Sequence, residues 1–197
     1  MEQSPARILI IIAFLASIAC LMIAPTVLPD SYSVVEHTTS EAAAQATEGA
    51  WMARTGFLLF GLGVFCLSIV KRDWPRSVRY LHGLFGMAMI ATAVYSHRPT
   101  LDAIDYDRVE DTLHSVAATG MGFAFAVGVL VAGWRRIPRW RVLDVIALLT
   151  AIVIPIAMVT TEGADGLLQR GMFLVAYVWF GIEAMESRRR TAFNTID

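Results

Sequence analysis

The chain has 197 residues, of which 56% are hydrophobic, with a mean hydropathy of +0.58 and a formal net charge of -1. That proportion of apolar side chains excludes an ordinary soluble domain. The near-zero net charge says less than the placement of the charges along the chain, and no nucleic-acid-binding module is present.

Six apolar stretches follow one another, at 8–24, 51–70, 80–95, 113–134, 142–160 and 167–182. Each approaches the roughly 20 residues that a helix needs to cross a hydrocarbon layer about 30 Å thick. Within the first, Leu15-Ala16-Ser17-Ile18-Ala19-Cys20 resembles a lipoprotein cleavage site. Ser17 stands where a leucine is expected, however, and Leu21–Ala24 continues the apolar run, so a retained helix is predicted.

Charge alternates between the linkers. Arg7 precedes the first stretch, Lys71, Arg72, Arg76 and Arg79 fill the second linker, and Arg135, Arg136, Arg139 and Arg141 the fourth. With Arg188, Arg189 and Arg190 in the tail, twelve of the 16 Lys and Arg residues lie on one side of a six-pass chain. The odd-numbered linkers hold the acids: Asp30, Glu36, Glu41 and Glu48; Asp102, Asp105, Asp107, Glu110 and Asp111; Glu162 and Asp165. Lys and Arg excess near span ends marks the cytoplasmic side. The expected architecture is therefore all-α, a polytopic six-helix transmembrane bundle forming one domain over 1–197. It would lie in an inner or plasma membrane with both termini cytoplasmic.

Small residues predict where helices approach closely. In the fourth stretch Ala118, Gly122 and Ala126 share one face and Gly120, Ala124, Gly128 and Ala132 another, while Gly56, Gly61, Gly63, Gly83 and Gly86 serve the second and third. Pro155 predicts a kink near 151–155 in the fifth. Trp74, Trp134, Trp140 and Tyr80 read as interface anchors at the cytoplasmic surface and Trp51 at the other. Cys20 and Cys66 fall at different depths, which argues against a disulfide. Met87, Met89, Met121 and Met158 read as gap fillers. His82 is expected near the cytoplasmic side, and Glu183 and Glu186 are expected to pair with Arg188–Arg190.

Chemistry gathers in the odd-numbered linkers. The first reads Glu36-His37-Thr38-Thr39-Ser40-Glu41, and its Ala42–Ala46 segment is expected to form a short interfacial helix. Ser40 suits a helix cap. Arg54 must pair, hydrogen-bond or snorkel at the outer end of the second span, with Glu41 or Glu48 as the expected partner. His97, His114, Gln169 and Arg170 complete a possible ring around one outward-facing mouth. Convergence of His37, His97 and His114 would bind zinc and activate water, although no close ligand spacing such as HExxH occurs.

These outer residues also carry a family resemblance. His37-Thr38-Thr39-Ser40-Glu41 followed by Arg54-Thr55-Gly56-Phe57 resembles the first signature of the DUF998 family of bacterial and archaeal membrane proteins. His114-Ser115-Val116-Ala117-Ala118 is similar to the histidine-led start of that family's fourth span. Gly166-Leu167-Leu168-Gln169-Arg170, with Trp179 downstream, is similar to its Gly-Leu-x-Glu/Gln-Arg segment. Ala42-Ala43 stands where the family has Leu-Gly. The resemblance implies six spans and points to Ser40, Glu41, Arg54, His114 and Arg170, but it implies no reaction.

Three functions fit this reading. The first is binding or transport of a small polar solute or lipid headgroup through an outward-facing pocket of Ser40, Glu41, Arg54, His114, Gln169 and Arg170. The second is a zinc-dependent membrane hydrolase acting on lipid-like substrates. The third is a structural subunit that meets a second copy or a membrane partner through the small-residue face of the fourth span. Membrane lipids are expected partners in each.

Overall fold

The computed structural model describes residues 5–99, 105–136 and 140–186, so Asp102, Arg139, Arg188, Arg189 and Arg190 lie outside the described residues. Among the described residues the chain is helical and contains no strand. Helix α1 spans Pro5–Ile23 and runs into a 3-10 turn at Ala24–Thr26. A four-residue helix, α2, spans Thr39–Ala42. Five longer helices follow: α3 at Ala50–Val70, α4 at Arg76–Val94, α5 at Arg108–Trp134, α6 at Val142–Thr160 and α7 at Asp165–Met185.

The long helices occupy the six apolar stretches, and several begin earlier than the apolar residues do. Helix α5 starts at Arg108 because the Asp107 carboxylate accepts hydrogen bonds from the Val109 and Glu110 amides, at 2.8 and 3.1 Å. A carboxylate there satisfies amides that would otherwise lack partners. Helix α4 starts directly after Pro75, whose backbone is extended and makes no side-chain cap.

Among the described residues, four helices are long and apolar enough to cross a membrane: α1 with its 3-10 extension, α3, α5 and α6. Two of these are barely covered by protein, since only 22% of the apolar window of α1 and 11% of that of α6 is buried. Leu9, Leu15 and Met22 on α1, and Ile152, Ile156 and Val159 on α6, point outward. Water would be a poor solvent for such a surface, and its natural surroundings are lipid tails. Helices α4 and α7 carry more polar residues and supply much of the interior.

The centre is aromatic. Phe60 of α3 stacks on Tyr177 of α7 with ring centroids 4.0 Å apart, and meets Phe14 of α1 and Phe85 of α4 edge-on, both at 5.6 Å. Ser17 of α1 donates to the Gly56 carbonyl at 2.5 Å and shares a 2.6 Å hydrogen bond with the Tyr177 hydroxyl, which ties the same helices together. Helices α3 and α4 touch backbone to backbone. A Cβ on Gly61 would stand 2.8 Å from the Gly86 carbonyl oxygen, and one on Gly86 would stand 2.7 Å from the Phe65 nitrogen. This is the close contact that the glycine pattern predicted.

Other expectations need correction. The short helix ends at Ala42 rather than running on to Ala46: Ala43 and Ala44 are fully buried and Ala46 has φ 53°. Trp74 is buried against the core rather than anchored at an interface, whereas Trp51, Trp134 and Tyr80 are exposed. Cys20 and Cys66 are free thiols.

Candidate functional site

At one end of the bundle, the segment between α1 and α3 folds over the helix tips as a cap. Helix α2 is held by a reciprocal capping box. The Thr38 hydroxyl oxygen accepts from the Glu41 amide at 3.1 Å, while Glu41 Oε2 accepts from the Thr38 amide at 2.6 Å. Thr38 is thus the cap residue, not Ser40, and Glu41 is committed to its own helix rather than to Arg54.

Two arginines fasten the cap through backbone carbonyls. Arg54 donates to the Ala43 and Ala44 carbonyls at 3.0 and 2.9 Å, which replaces the pairing with Glu41 or Glu48 that the sequence suggested. Arg170 donates to the Val34 and His37 carbonyls at 2.7 and 2.9 Å and to the Tyr32 hydroxyl at 2.6 Å. Tyr32 in turn donates to the Thr38 carbonyl at 2.9 Å. Burial raises the Tyr32 phenol above its ordinary pKa, and the neighbouring Arg170 offsets only part of that rise. Both guanidinium groups therefore act as clamps.

Ser40 and Gln169 meet the bundle at the cap's underside. Gln169 Oε1 accepts from the Thr39 amide and hydroxyl, at 2.7 and 2.6 Å. Beside it, Ser40 Oγ lies 3.1 Å from His114 Nε2, and His114 Nδ1 lies 2.8 Å from the Tyr95 carbonyl oxygen. A carbonyl can only accept, so Nδ1 carries the proton and Nε2 faces Ser40 as an acceptor. His114 is 1% exposed. Its ring meets that of His97 edge-on at 5.5 Å.

The three imidazoles do not converge. His37 faces Tyr32 and its Nδ1 accepts from the Ser33 amide at 2.8 Å, while His97 Nδ1 lies 2.9 Å from the Arg98 carbonyl oxygen. Among the described residues, no group of three or more His, Cys, Asp or Glu side chains is arranged to hold a metal ion. The zinc triad expected from His37, His97 and His114 is not formed, because His37 and His97 are engaged by backbone of their own segments and His114 by the Tyr95 carbonyl and Ser40.

Beneath the cap, α5, α6 and α7 stand apart around a cavity of about 640 Å³, with Phe85 of α4 as its floor. Ala118, Met121, Gly122 and Phe125 of α5 and Met172, Phe173 and Ala176 of α7 form two walls; Ala151, Ile152, Pro155 and Ile156 of α6 form the third. Thr119 supplies the one polar side chain of the lining. Phe123, Ile152 and Ile156 are also exposed on the outer surface, so the cavity meets the apolar exterior between α5 and α6. The Ala118/Gly122/Ala126 stripe, expected as a packing face, faces this space instead, and a Cβ on Gly122 would touch nothing within 4 Å.

The profile of the DUF998 family, described as a protein of unknown function, matches residues 11–185. The chain belongs to the DUF998 family. No curated protein and no solved structure matches it.

The opposite end of this DUF998 protein holds a charged cluster that the sequence reading missed. Asp144 of α6 and Glu183 of α7, 0% and 1% exposed, are bridged by Arg136. Arg141 also reaches both carboxylates. The indoles close the set: Trp179 donates to Asp144 at 2.9 Å and Trp74 to Glu183 at 2.8 Å. Lys71, 2% exposed, places its ammonium on the Glu183 and Glu186 carbonyls at 2.5 and 2.6 Å. Burial depresses the Lys71 pKa, against the pull of Glu183 and Asp73. Glu183 therefore pairs with the α5–α6 linker, and the tail arginines expected as its partners lie outside the described residues. His82 lies alongside, fully buried, with its ring 4.9 Å from Trp74 and 4.8 Å from Trp179. One signal was available in the sequence: Asp144 in the first turn of α6, Glu183 in the last turn of α7 and Lys71 just after α3 all fall at one end of an up-and-down bundle.

Proposed function

We propose that this DUF998 protein is a six-span membrane protein that binds a lipid, with an acyl chain in the cavity and the polar head at Ser40, His114 and Gln169. One observation carries the reading: an apolar, laterally open cavity runs along helix faces that end at those polar side chains. His114, Ala118, Met121 and Phe125 recur at helical spacing on α5, and Gln169, Met172, Phe173 and Ala176 do so on α7. A volume of about 640 Å³ falls in the usual range of small-molecule sites, about 300–1,000 Å³. A hydrocarbon lining favours an acyl chain over a polar solute, because a polar solute would leave its hydrogen bonds unmade there. The same chemistry favours lipid binding over the zinc-hydrolase and subunit readings.

The membrane arrangement is part of the proposal. A 19-residue helix at about 1.5 Å per residue reaches about 28 Å, so α4 and α7 also have the length to span. The distribution of Lys and Arg supports an orientation with both termini in the cytoplasm and the cap outside. Glycine 122 offers the test. A Cβ on Gly122 meets open space, so Gly122→Trp directs its indole into the cavity, and the variant should fold while retaining at least tenfold less phospholipid after mild delipidation, read by native mass spectrometry. Equal retention in the two proteins would remove the cavity from the proposal.

A further inference from the structure

Resting on that lipid reading, we infer that Ser40 and His114 form a nucleophile–base pair that cleaves an ester bond of the bound lipid. Three features of the geometry are those of an activated serine. Ser40 Oγ is within hydrogen-bonding distance of His114 Nε2, at 3.1 Å. The Tyr95 carbonyl, 2.8 Å from Nδ1, fixes the tautomer that leaves the Nε2 lone pair facing the hydroxyl. The serine is half-buried and lies on a helix made rigid by the Thr38–Glu41 capping box, whereas the histidine is buried and cannot swing away. Gln169 adds an amide: its Oε1 is occupied by Thr39, one residue before Ser40, and no hydrogen bond among the described residues uses its Nε2. That NH2 group is available to donate to a developing oxyanion.

The reaction balances with water as the second reactant. Ser40 Oγ bonds to the ester carbonyl carbon and passes its proton to His114 Nε2. The carbon–oxygen bond to the alcohol breaks, and the alcohol leaves with that proton. Water then attacks the acyl-serine, gives a proton to Nε2, and releases the carboxylic acid as Oγ regains its hydrogen. Ester and water become acid and alcohol, and the pair returns to its starting state. The cavity holds the acyl chain of the same molecule, one helical turn from His114 along α5.

The test uses the full chain in nanodiscs and a short alkyl fluorophosphonate, which phosphonylates an activated serine without needing the cavity. Stoichiometric labelling of Ser40, mapped by mass spectrometry, is expected in the native chain. It should be absent in Ser40→Ala and slowed at least 100-fold in His114→Gln, in line with the roughly 10²–10⁴-fold effect of general-base catalysis. Release of fatty acid from phospholipid nanodiscs should follow the same order. If His114→Gln misfolds, Ser40→Ala, which loses a single oxygen atom, still decides the matter. No labelling of the native chain, or equal labelling in Ser40→Ala, overturns the pair and leaves it a structural tie between α2 and α5. Gly122→Trp separates the two readings: unchanged lipid retention in that variant with intact labelling of the native chain refutes cavity lipid binding alone, and loss of lipid in the variant without labelling of the native chain refutes only the ester chemistry.

Discussion

Arg170 and Tyr32 show why individual side chains at the cap resist prediction. The sequence offered Arg54 as a partner of Glu41 or Glu48 and both Arg54 and Arg170 as members of a ligand pocket, and both guanidinium groups instead hold carbonyl oxygens. A carbonyl left over at a chain reversal has no letter of its own in a sequence, whereas Glu41 and Glu48 do. Tyr32 closes the arrangement by accepting from Arg170 and donating to Thr38. Tyr32→Phe should therefore lower stability by about 1.5 kcal/mol, the scale of one hydrogen bond to a charged group. The pH dependence follows in sign. Because burial raises the folded-state pKa above its ordinary 10.0, this contribution is intact below about pH 10 and is lost as pH climbs through the folded-state value. Thermal scans of the native and Tyr32→Phe proteins should converge above pH 10; a gap unchanged at pH 11 would contradict the assignment.

The helices themselves were legible, for a physical reason. Long apolar runs between charged linkers have few alternatives once backbone groups must be satisfied away from water. What the runs could not convey is which small residues meet another helix and which face open space. Gly61 and Gly86 meet, whereas Gly122 lines the cavity. Glycine removes bulk in either case, and the separation of the facing helix decides the result. The charged cluster of α6 and α7 was overlooked because each member reads singly as an end-of-span charge in headgroups. Packed together, they behave differently. Glu183→Ala would leave Arg136, Arg141 and Lys71 with one carboxylate too few in a buried setting, at a cost of roughly 3–5 kcal/mol. Glu186 is 47% exposed, so Glu186→Ala should change the midpoint of a thermal scan little. Matching losses in the two variants would show that burial of Glu183 contributes nothing.

The two ends of the bundle have opposite characters. The cap end presents the acidic linkers, and the other end presents arginines engaged with Asp144 and Glu183. Charge asymmetry was readable because it needs only counting, whereas the Ser40–His114 contact joins residues 74 apart in the chain and needed the fold. Accessibility tags inserted after Asp73 and after Asp105 should react from opposite compartments if α4 crosses the membrane as proposed. Labelling of both from the same face would reverse the proposed threading.

Helix α6 has a mechanical consequence. Near its start it is riveted by Asp144 to two arginines and an indole, and Ala147 is fully enclosed. Towards its finish Ile156 and Val159 are 60% and 88% exposed, and nothing comparable grips them. A cantilever deflects most at its tip, and this tip borders the slot that opens to the exterior. Bilayer thickness, by pressing on that tip, would set how wide the slot stands.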